Sequence, residues 1–276
     1  MRDGLQRGQS GQVAVETALI IPLYVFLILG ILQLGLIAQA RVMAKYAAYR
    51  AVRVGAMHNA SVKAMEAAAL FHLMPVLTDV KGQRILPNRS SAEIASKYGK
   101  LLLTNSTGEA QMVKIVICGP TDGELSGSGG NSLSAGHQQG LHGRGSNNEV
   151  DFDDPRLMIS EDPGVDPQTG AGMRQYNRLR LRAQLQLLYR MPIPFANWII
   201  TRSYLGLSLP SVMMMTQKGV PNKASTATQA KTVRVLEAAR IYTIPINVSY
   251  AMRMQSNIFL GKFALPKTNE CIHYKP

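Results

Sequence analysis

One uninterrupted apolar stretch decides the class of this protein. Residues 18–38 read ALIIPLYVFLILGILQLGLIA, without a charged residue, and Gln33 is the only strongly polar side chain among them. A helix needs about 20 apolar residues to cross the hydrocarbon core of a bilayer. Later apolar stretches are shorter or are interrupted by Arg and Pro. The sequence therefore predicts a single transmembrane helix, with a short N-terminal tail and a large soluble part.

Composition limits the remaining possibilities. The chain has 276 residues, of which 46% are hydrophobic and 17% are charged, whereas globular domains average about 25% charged residues. This apolar content excludes a wholly disordered chain, and a mean hydropathy near zero excludes a polytopic transporter. The net charge of +13 suits an anionic membrane, nucleic acid or an acidic partner. Two cysteines are too few for a disulfide scaffold or a structural Cys₄ zinc site.

The apolar stretch has three interpretations. Arg2 and Arg7 supply the basic region of a secretory signal, and 38–40 (Ala-Gln-Ala) fits its small-x-small cleavage site. The apolar run is longer than the roughly 7–15 residues of a signal peptide, however. A plain uncleaved anchor and a prepilin-type segment are the other two interpretations.

Glu16 favours the prepilin-type segment. A carboxylate at the start of a membrane helix either complements the helix dipole, at about 0.3–1 kcal/mol, or has a cationic partner. A cut after Gly11 would give Gln12 a new ammonium one helical turn from Glu16, or within reach of the Glu16 of a neighbouring subunit. Such a pair strengthens in low dielectric and offsets the desolvation of both charges. Glu16 would then set the register of an assembly.

The surrounding residues resemble a known family. The string Gly11-Gln-Val-Ala-Val-Glu16-Thr-Ala18-Leu-Ile-Ile-Pro22 is similar to the start of TadE-like proteins, the pseudopilin-type components of the tight adherence (Flp, type IVb) pilus machinery. Residues 33–35 (Gln-Leu-Gly) and the Ala/Arg-rich stretch 40–56 extend the resemblance over roughly the first quarter of the chain. The resemblance implies cleavage between Gly11 and Gln12 by a prepilin peptidase, and an assembly role for Glu16, Ala18 and Pro22. The chain is far longer than a major Flp pilin, which favours a minor or accessory subunit.

The expected fold class is α+β, with a long N-terminal transmembrane helix followed by a soluble domain with an antiparallel sheet and helices. We expect a leader over 1–11, the transmembrane helix and its extension over 12–57, and a periplasmic domain over 58–276. Arg41, Lys45, Arg50 and Arg53 follow the span and by themselves favour a cytoplasmic C-terminal side. Long C-terminal domains translocate largely regardless of such charges, so we expect the N-terminus in the cytoplasm of a bacterial inner-membrane protein.

Hydrophobic periodicity and turn residues predict the elements of the soluble part. We expect small alanines over 41–55 to allow close helix approach, and a Gly/Ser-rich mobile loop over 119–148. The predicted elements are a helix over 62–74 capped by Asn59 or Ser61 and ended by Pro75, a strand over 110–118, a strand over 178–187, a helix or strand over 233–241, and a strand over 244–250 broken by Pro245.

Two features of the soluble part carry open alternatives. Arg178, Arg180 and Arg182 alternate with apolar residues, so they form either a solvated sheet face or a basic strip for anionic lipid, polysaccharide or a partner. Cys118 and Cys271 would pair in an oxidising periplasm, and are otherwise two buried thiols.

The sequence offers weak ligand sites and no catalytic motif. His72 is a packed or surface histidine, His137 and His142 form at best a weak metal site, and the acids of Glu149–Asp166 form a solvated loop rather than a calcium site. We therefore expect no metal, no cofactor and no nucleic acid. The economical function is non-catalytic pilus assembly with prepilin peptidase, pilin or pseudopilin subunits and inner-membrane platform proteins as partners. The alternative is a membrane-anchored envelope protein that binds a ligand or polysaccharide.

Overall fold

A computed structural model describes residues 9–77, 91–107, 111–121, 149–150, 152, 180–207, 223–259, 265–267, 269 and 271–272. Its helices are α1 (Gln9–Met57), α2 (Val62–Leu73), α3 (Ser91–Thr107), α4 (Ala196–Leu207) and α5 (Lys223–Ala238). Its strands are β1 (Val113–Gly119), β2 (Glu149–Val150), β3 (Arg180–Arg190), β4 (Thr243–Arg253) and β5 (Ile258–Phe259). A long apolar N-terminal helix followed by helices and an antiparallel sheet confirms the α+β class. The loop predicted over 119–148 starts too early, because Gly119 is the last residue of β1 and Pro120 and Thr121 are buried. Residues 122–148, with the two histidines, and most of the acidic stretch lie outside the described residues.

Helix α1 has two halves with different surroundings. Its 49 residues span about 74 Å at 1.5 Å per residue. The side chains described up to Ile28 are exposed. The second half is buried through its small residues, which are Ala40, Ala44, Ala47, Ala48, Ala51 and Ala56, each at most 2% exposed. Because these side chains are short, α2 and the sheet pack close to the α1 backbone, as expected for the alanines over 41–55.

Residues that follow β4 in the sequence hydrogen-bond to the turn between α1 and α2. Ser61 is the N-cap of α2, but its side chain makes no capping hydrogen bond. Asn59, the other predicted cap, has a positive φ of 55°. Its backbone N–H donates to Ser256 Oγ at 2.9 Å, and its Nδ2 donates to the Asn257 carbonyl at 2.6 Å. The segment after β4 therefore stabilises this turn.

The main sheet is antiparallel, in the order β1-β3-β4. Alternate residues of the central strand β3 face the core formed with α1 and α2. These residues are Leu181, Ala183, Leu185, Leu187 and Tyr189, each at most 6% exposed. The two-residue strands β2 and β5 pair separately.

The polar face of β3 is covered at Arg182 and Gln184, which corrects the expectation that Arg182 belongs to a solvated face or an open basic strip. Arg180 is exposed, but Arg182 is only 8% exposed and Gln184 only 3%; Arg178 lies outside the described residues. Gln184 Nε2 donates to the Ile272 carbonyl at 2.5 Å, and the Ile272 N–H donates to Gln184 Oε1 at 2.8 Å. The C-terminal segment therefore lies over this face of the sheet.

Helix α5 contacts the neighbouring strand through paired amides. Gln229 Nε2 donates to Asn247 Oδ1 at 2.9 Å, and Asn247 Nδ2 donates back to Gln229 Oε1 at 3.2 Å. The sequence predicts either a helix or a strand over 233–241, and the structure places the first six of these residues in α5.

The expected break of the last strand at Pro245 is wrong. Strand β4 continues through Pro245, which lies opposite Leu188 in the register. Because β4 is an edge strand of the sheet, a residue without an N–H is tolerated there.

Candidate membrane anchor and assembly site

The N-terminal half of α1 presents an apolar surface. Among the described residues, α1 is the one helix long and apolar enough to cross a membrane, and only 6% of its most apolar window is buried inside the protein. A core helix of a soluble domain would instead be mostly buried. The exposed large side chains include Leu19 at 72%, Leu23 at 67% and Ile31 at 61%. Such a surface fits a helix that is covered by lipid or by neighbouring helices.

The residues predicted to direct assembly lie along this exposed half. Gly11 and Gln12 belong to the first turns of α1, and Glu16, Ala18 and Pro22 are all exposed. Glu16 and Pro22 are six residues apart, or about 9 Å along the helix axis. Pro22 lies inside the helix, which apolar membrane helices tolerate when neighbouring groups satisfy the freed backbone carbonyl.

The position of Glu16 bears on its dipole interpretation. The described part of α1 already includes Gln9, so Glu16 lies about two turns inside the helix. The helix-dipole effect falls off within the first turn. In the uncleaved chain Glu16 therefore gains little from the α1 dipole.

Gln33 connects the apolar half of α1 to the soluble part. Its side chain is fully buried, and its Oε1 accepts the backbone N–H of Ile193 at 3.1 Å. Seven residues nearer the N-terminus, the ring of Phe26 meets the ring of Phe195 edge to face, with centroids 5.7 Å apart. The turn before α4 therefore contacts α1 at Phe26 and Gln33, inside the predicted span. Gln33 stands out in the sequence as the single polar residue of the apolar stretch, but the sequence does not reveal its partner.

The second half of α1 is joined to α2 by a neutral histidine. Arg50 Nε donates to His72 Nε2 at 3.2 Å. Burial, and then the nearby Arg50 guanidinium, lower the pKa of His72, which keeps the ring in the neutral form that accepts this bond. His72 is thus a packing residue. In the part of the chain that the structure describes, no three His, Cys, Asp or Glu side chains are grouped to hold a metal ion.

The two cysteines are joined in the structure. Cys118, near the end of β1, forms a disulfide with Cys271, and their Cα atoms are 5.4 Å apart. Both side chains are nearly fully buried and cluster with Val116 on the sheet face opposite the main core. The bond attaches the C-terminal segment to the sheet directly beside the Gln184–Ile272 pair.

Comparison with known proteins agrees with the N-terminal resemblance. Residues 11–53 match the model of the family described as TadE-like protein. Neither the search of curated proteins nor the search of solved structures found a match. The matched stretch begins at Gly11 and ends four residues before the end of α1, so it contains both the exposed apolar half and most of the buried half. The N-terminal segment of this protein is therefore TadE-like, as Gly11, Glu16 and Pro22 predict.

Proposed function

We propose that this protein is a non-catalytic minor pseudopilin or accessory subunit in the assembly of a Tad/Flp type IVb pilus or a related secretion apparatus. The TadE-like match over 11–53 carries the proposal, because it covers the one helix of the described chain that has an uncovered apolar half. A helix that is apolar outside the domain and buried inside it transmits a lateral contact in the membrane directly to the soluble part. Such a rigid connection suits an assembly subunit.

The proposed partners follow from the same helix. Prepilin peptidase would cut between Gly11 and Gln12, and Glu16 would then pair with the new ammonium of its own chain or of a neighbouring subunit. Pilin or pseudopilin helices and inner-membrane platform proteins would cover the exposed apolar side chains. The chain would thus divide into a leader over 1–11, an anchor over 12–57 and a domain over 58–276.

The proposed location is the bacterial inner membrane, with the N-terminus in the cytoplasm and the C-terminal domain in the periplasm, where incorporation into a pilus would follow. The Cys118–Cys271 disulfide supports an oxidising compartment for the soluble part. Helix α1 continues without a break through Ala40, which is buried in the core. A cleaved secretory signal is therefore disfavoured, because a cut after Ala40 would divide the helix where it packs into the core.

The alternative function is that of an envelope protein with a mere membrane anchor, whose soluble domain binds a ligand or polysaccharide. Substitution of Glu16 separates the two. We expect Glu16→Gln to remove co-purification and cross-linking with pilin subunits, because it removes the charge and preserves the shape of the side chain. Membrane retention after alkaline extraction should be unchanged, since the apolar stretch is intact.

The matched control is Leu19→Ala, which trims another exposed side chain one turn away without touching a charge. Normal assembly of the Glu16→Gln protein would contradict the proposed role. The intact mass of protein from the native envelope tests processing separately: a start at Gln12 supports the peptidase step, a start at Met1 leaves an uncleaved accessory anchor, and a start at Arg41 overturns the proposal.

A further inference from the structure

Three apolar side chains of the α4 region remain exposed beside the membrane helix. Phe195 is 60% exposed, Trp198 44% and Ile199 50%. They occupy the last residue before α4 and its first turn, and we call them the α4 wedge. The wedge continues the apolar surface of α1, because the Phe195 ring touches the Phe26 ring.

The contacts with α1 determine the depth of the wedge. The apolar stretch 18–38 is about as long as the hydrocarbon core is thick, and Phe26 lies near its middle. Even if the hydrocarbon ended at Leu32, immediately before Gln33, Phe26 would lie about 9 Å below that boundary at 1.5 Å per residue. A ring in contact with Phe26 therefore lies at the level of lipid chains.

The backbone holds the wedge in place at a cost. Phe195 has a φ of 64°, a left-handed and strained conformation that a bulky residue rarely adopts. The Gln33 side chain secures the turn two residues earlier through the Ile193 N–H. The fold thus maintains a strained residue in a position where its ring points away from the domain core.

The polar neighbour of the wedge is an arginine of the next turn. The Arg202 guanidinium lies 5.3 Å from the centroid of the Trp198 ring and forms a 3.0 Å ion pair with Glu237 of α5. An aromatic ring beside an exposed cation is typical of the boundary between lipid chains and headgroups.

We propose that Phe195, Trp198 and Ile199 insert into the bilayer leaflet next to the soluble part, so that the protein has a second, interfacial membrane contact besides α1. The wedge then limits rotation and tilt of the soluble part on the membrane, because α1 and α4 touch the bilayer at two separate places. The inference rests on the anchor role of α1 in the proposed function and is independent of its role in a pilus.

Trp198 is the only tryptophan of the chain and reports directly on this contact. The full-length protein is reconstituted at one copy per nanodisc, in lipids brominated either near the headgroup or near the end of the acyl chain. We expect a roughly twofold loss of Trp198 emission with both lipids, and the stronger loss with bromine near the headgroup. The matched control is the double variant Trp198→Phe/Met57→Trp, which moves the indole to the exposed far end of α1, about 36 Å along the helix from Gln33. Its emission should not respond to bromine.

A second pair of variants separates insertion from a local change of fold. Phe195→Ser should weaken the quenching of Trp198, whereas Leu103→Ser, which replaces an equally exposed side chain on α3, should not. Retention after alkaline washing tests the α1 anchor on its own, so a failure of the anchor is distinguishable from a failure of the wedge. Unquenched Trp198 emission in single-copy nanodiscs would overturn the proposal. The indole would then face water, or it would be covered only by a second copy of the chain, and neither is insertion into the bilayer.

Discussion

Reduction of the Cys118–Cys271 disulfide is the perturbation whose size follows most directly from the structure. The bond closes a chain segment with a sequence separation of 153 residues. In the chain-entropy model a loop of this length stabilises the folded state by about 5 kcal/mol. Typical domains unfold at a cost of about 5–15 kcal/mol, so reduction should remove a large part of the stability.

The same segment is also held by Gln184, and the two restraints should be coupled. The two hydrogen bonds between Gln184 and Ile272 together contribute about 1–3 kcal/mol. In the oxidised protein, Gln184→Leu leaves the Ile272 N–H and carbonyl held against the sheet without these partners. After reduction the segment is free to detach and its backbone groups bind water, so the same substitution should cost less.

The assay is urea unfolding of the full-length protein in detergent micelles, followed by circular dichroism with and without a thiol reductant. Gln111→Leu, at an exposed glutamine, controls for the change of residue type. An unchanged midpoint on reduction would refute the loop argument. Effects of reduction and of Gln184→Leu that add within about 0.5 kcal/mol would refute the coupling.

Two further predictions concern the packing of α1 and of α2. Gln33→Leu should destabilise the docking of α4 on α1 by about 1–3 kcal/mol, because the partly buried Ile193 N–H loses its acceptor. A lower thermal midpoint in micelles, with Leu34→Ala as an exposed control, would show this, and equal midpoints would contradict it. Burial raises the pKa of Glu66 above its ordinary value of 4.5. The ionised form of Glu66 therefore destabilises the folded state, so the stability of the protein falls as the pH rises from 4.5 through the raised pKa. Glu66→Gln keeps an oxygen for the Ile115 N–H and should raise stability at neutral pH without changing it below 4.5; an unaltered pH profile of the unfolding midpoint would contradict this.

Sequence patterns predict those helices and strands whose structure is determined by residues close together in the chain. The charge-free stretch 18–38 predicts a membrane helix because its length matches the bilayer and nothing in the soluble part needs to be known. The two-residue alternation of β3 likewise identifies the strand, and Gly119 marks the end of β1. The motif from Gly11 to Pro22 predicts the TadE-like match of residues 11–53, because the spacing of its residues is local.

Contacts between residues far apart in the chain explain where the structure differs from the sequence-based predictions. Alternation in the sequence places Arg182 on a solvated face or in a basic strip, because it distinguishes two faces and says nothing about a cover that arrives from the C-terminus. From the sequence alone Pro245 predicts a broken strand, because only the sheet order reveals that β4 lies at an edge. The residues around the strained Phe195 do not predict its contact with Phe26, because Phe26 lies far away in the chain.

The sequence by itself therefore predicted a long apolar N-terminal helix of TadE-like pattern, which fits a membrane anchor, and the α+β class. It could do so because length, polarity and periodicity are properties of short segments. Only the tertiary structure decided which half of α1 is buried, that Gln33 holds the turn before α4, and that the C-terminal segment closes the sheet over Gln184. Each of these depends on a hydrogen bond or packing contact between residues far apart in the chain, and such pairings are selected by the geometry of the whole core.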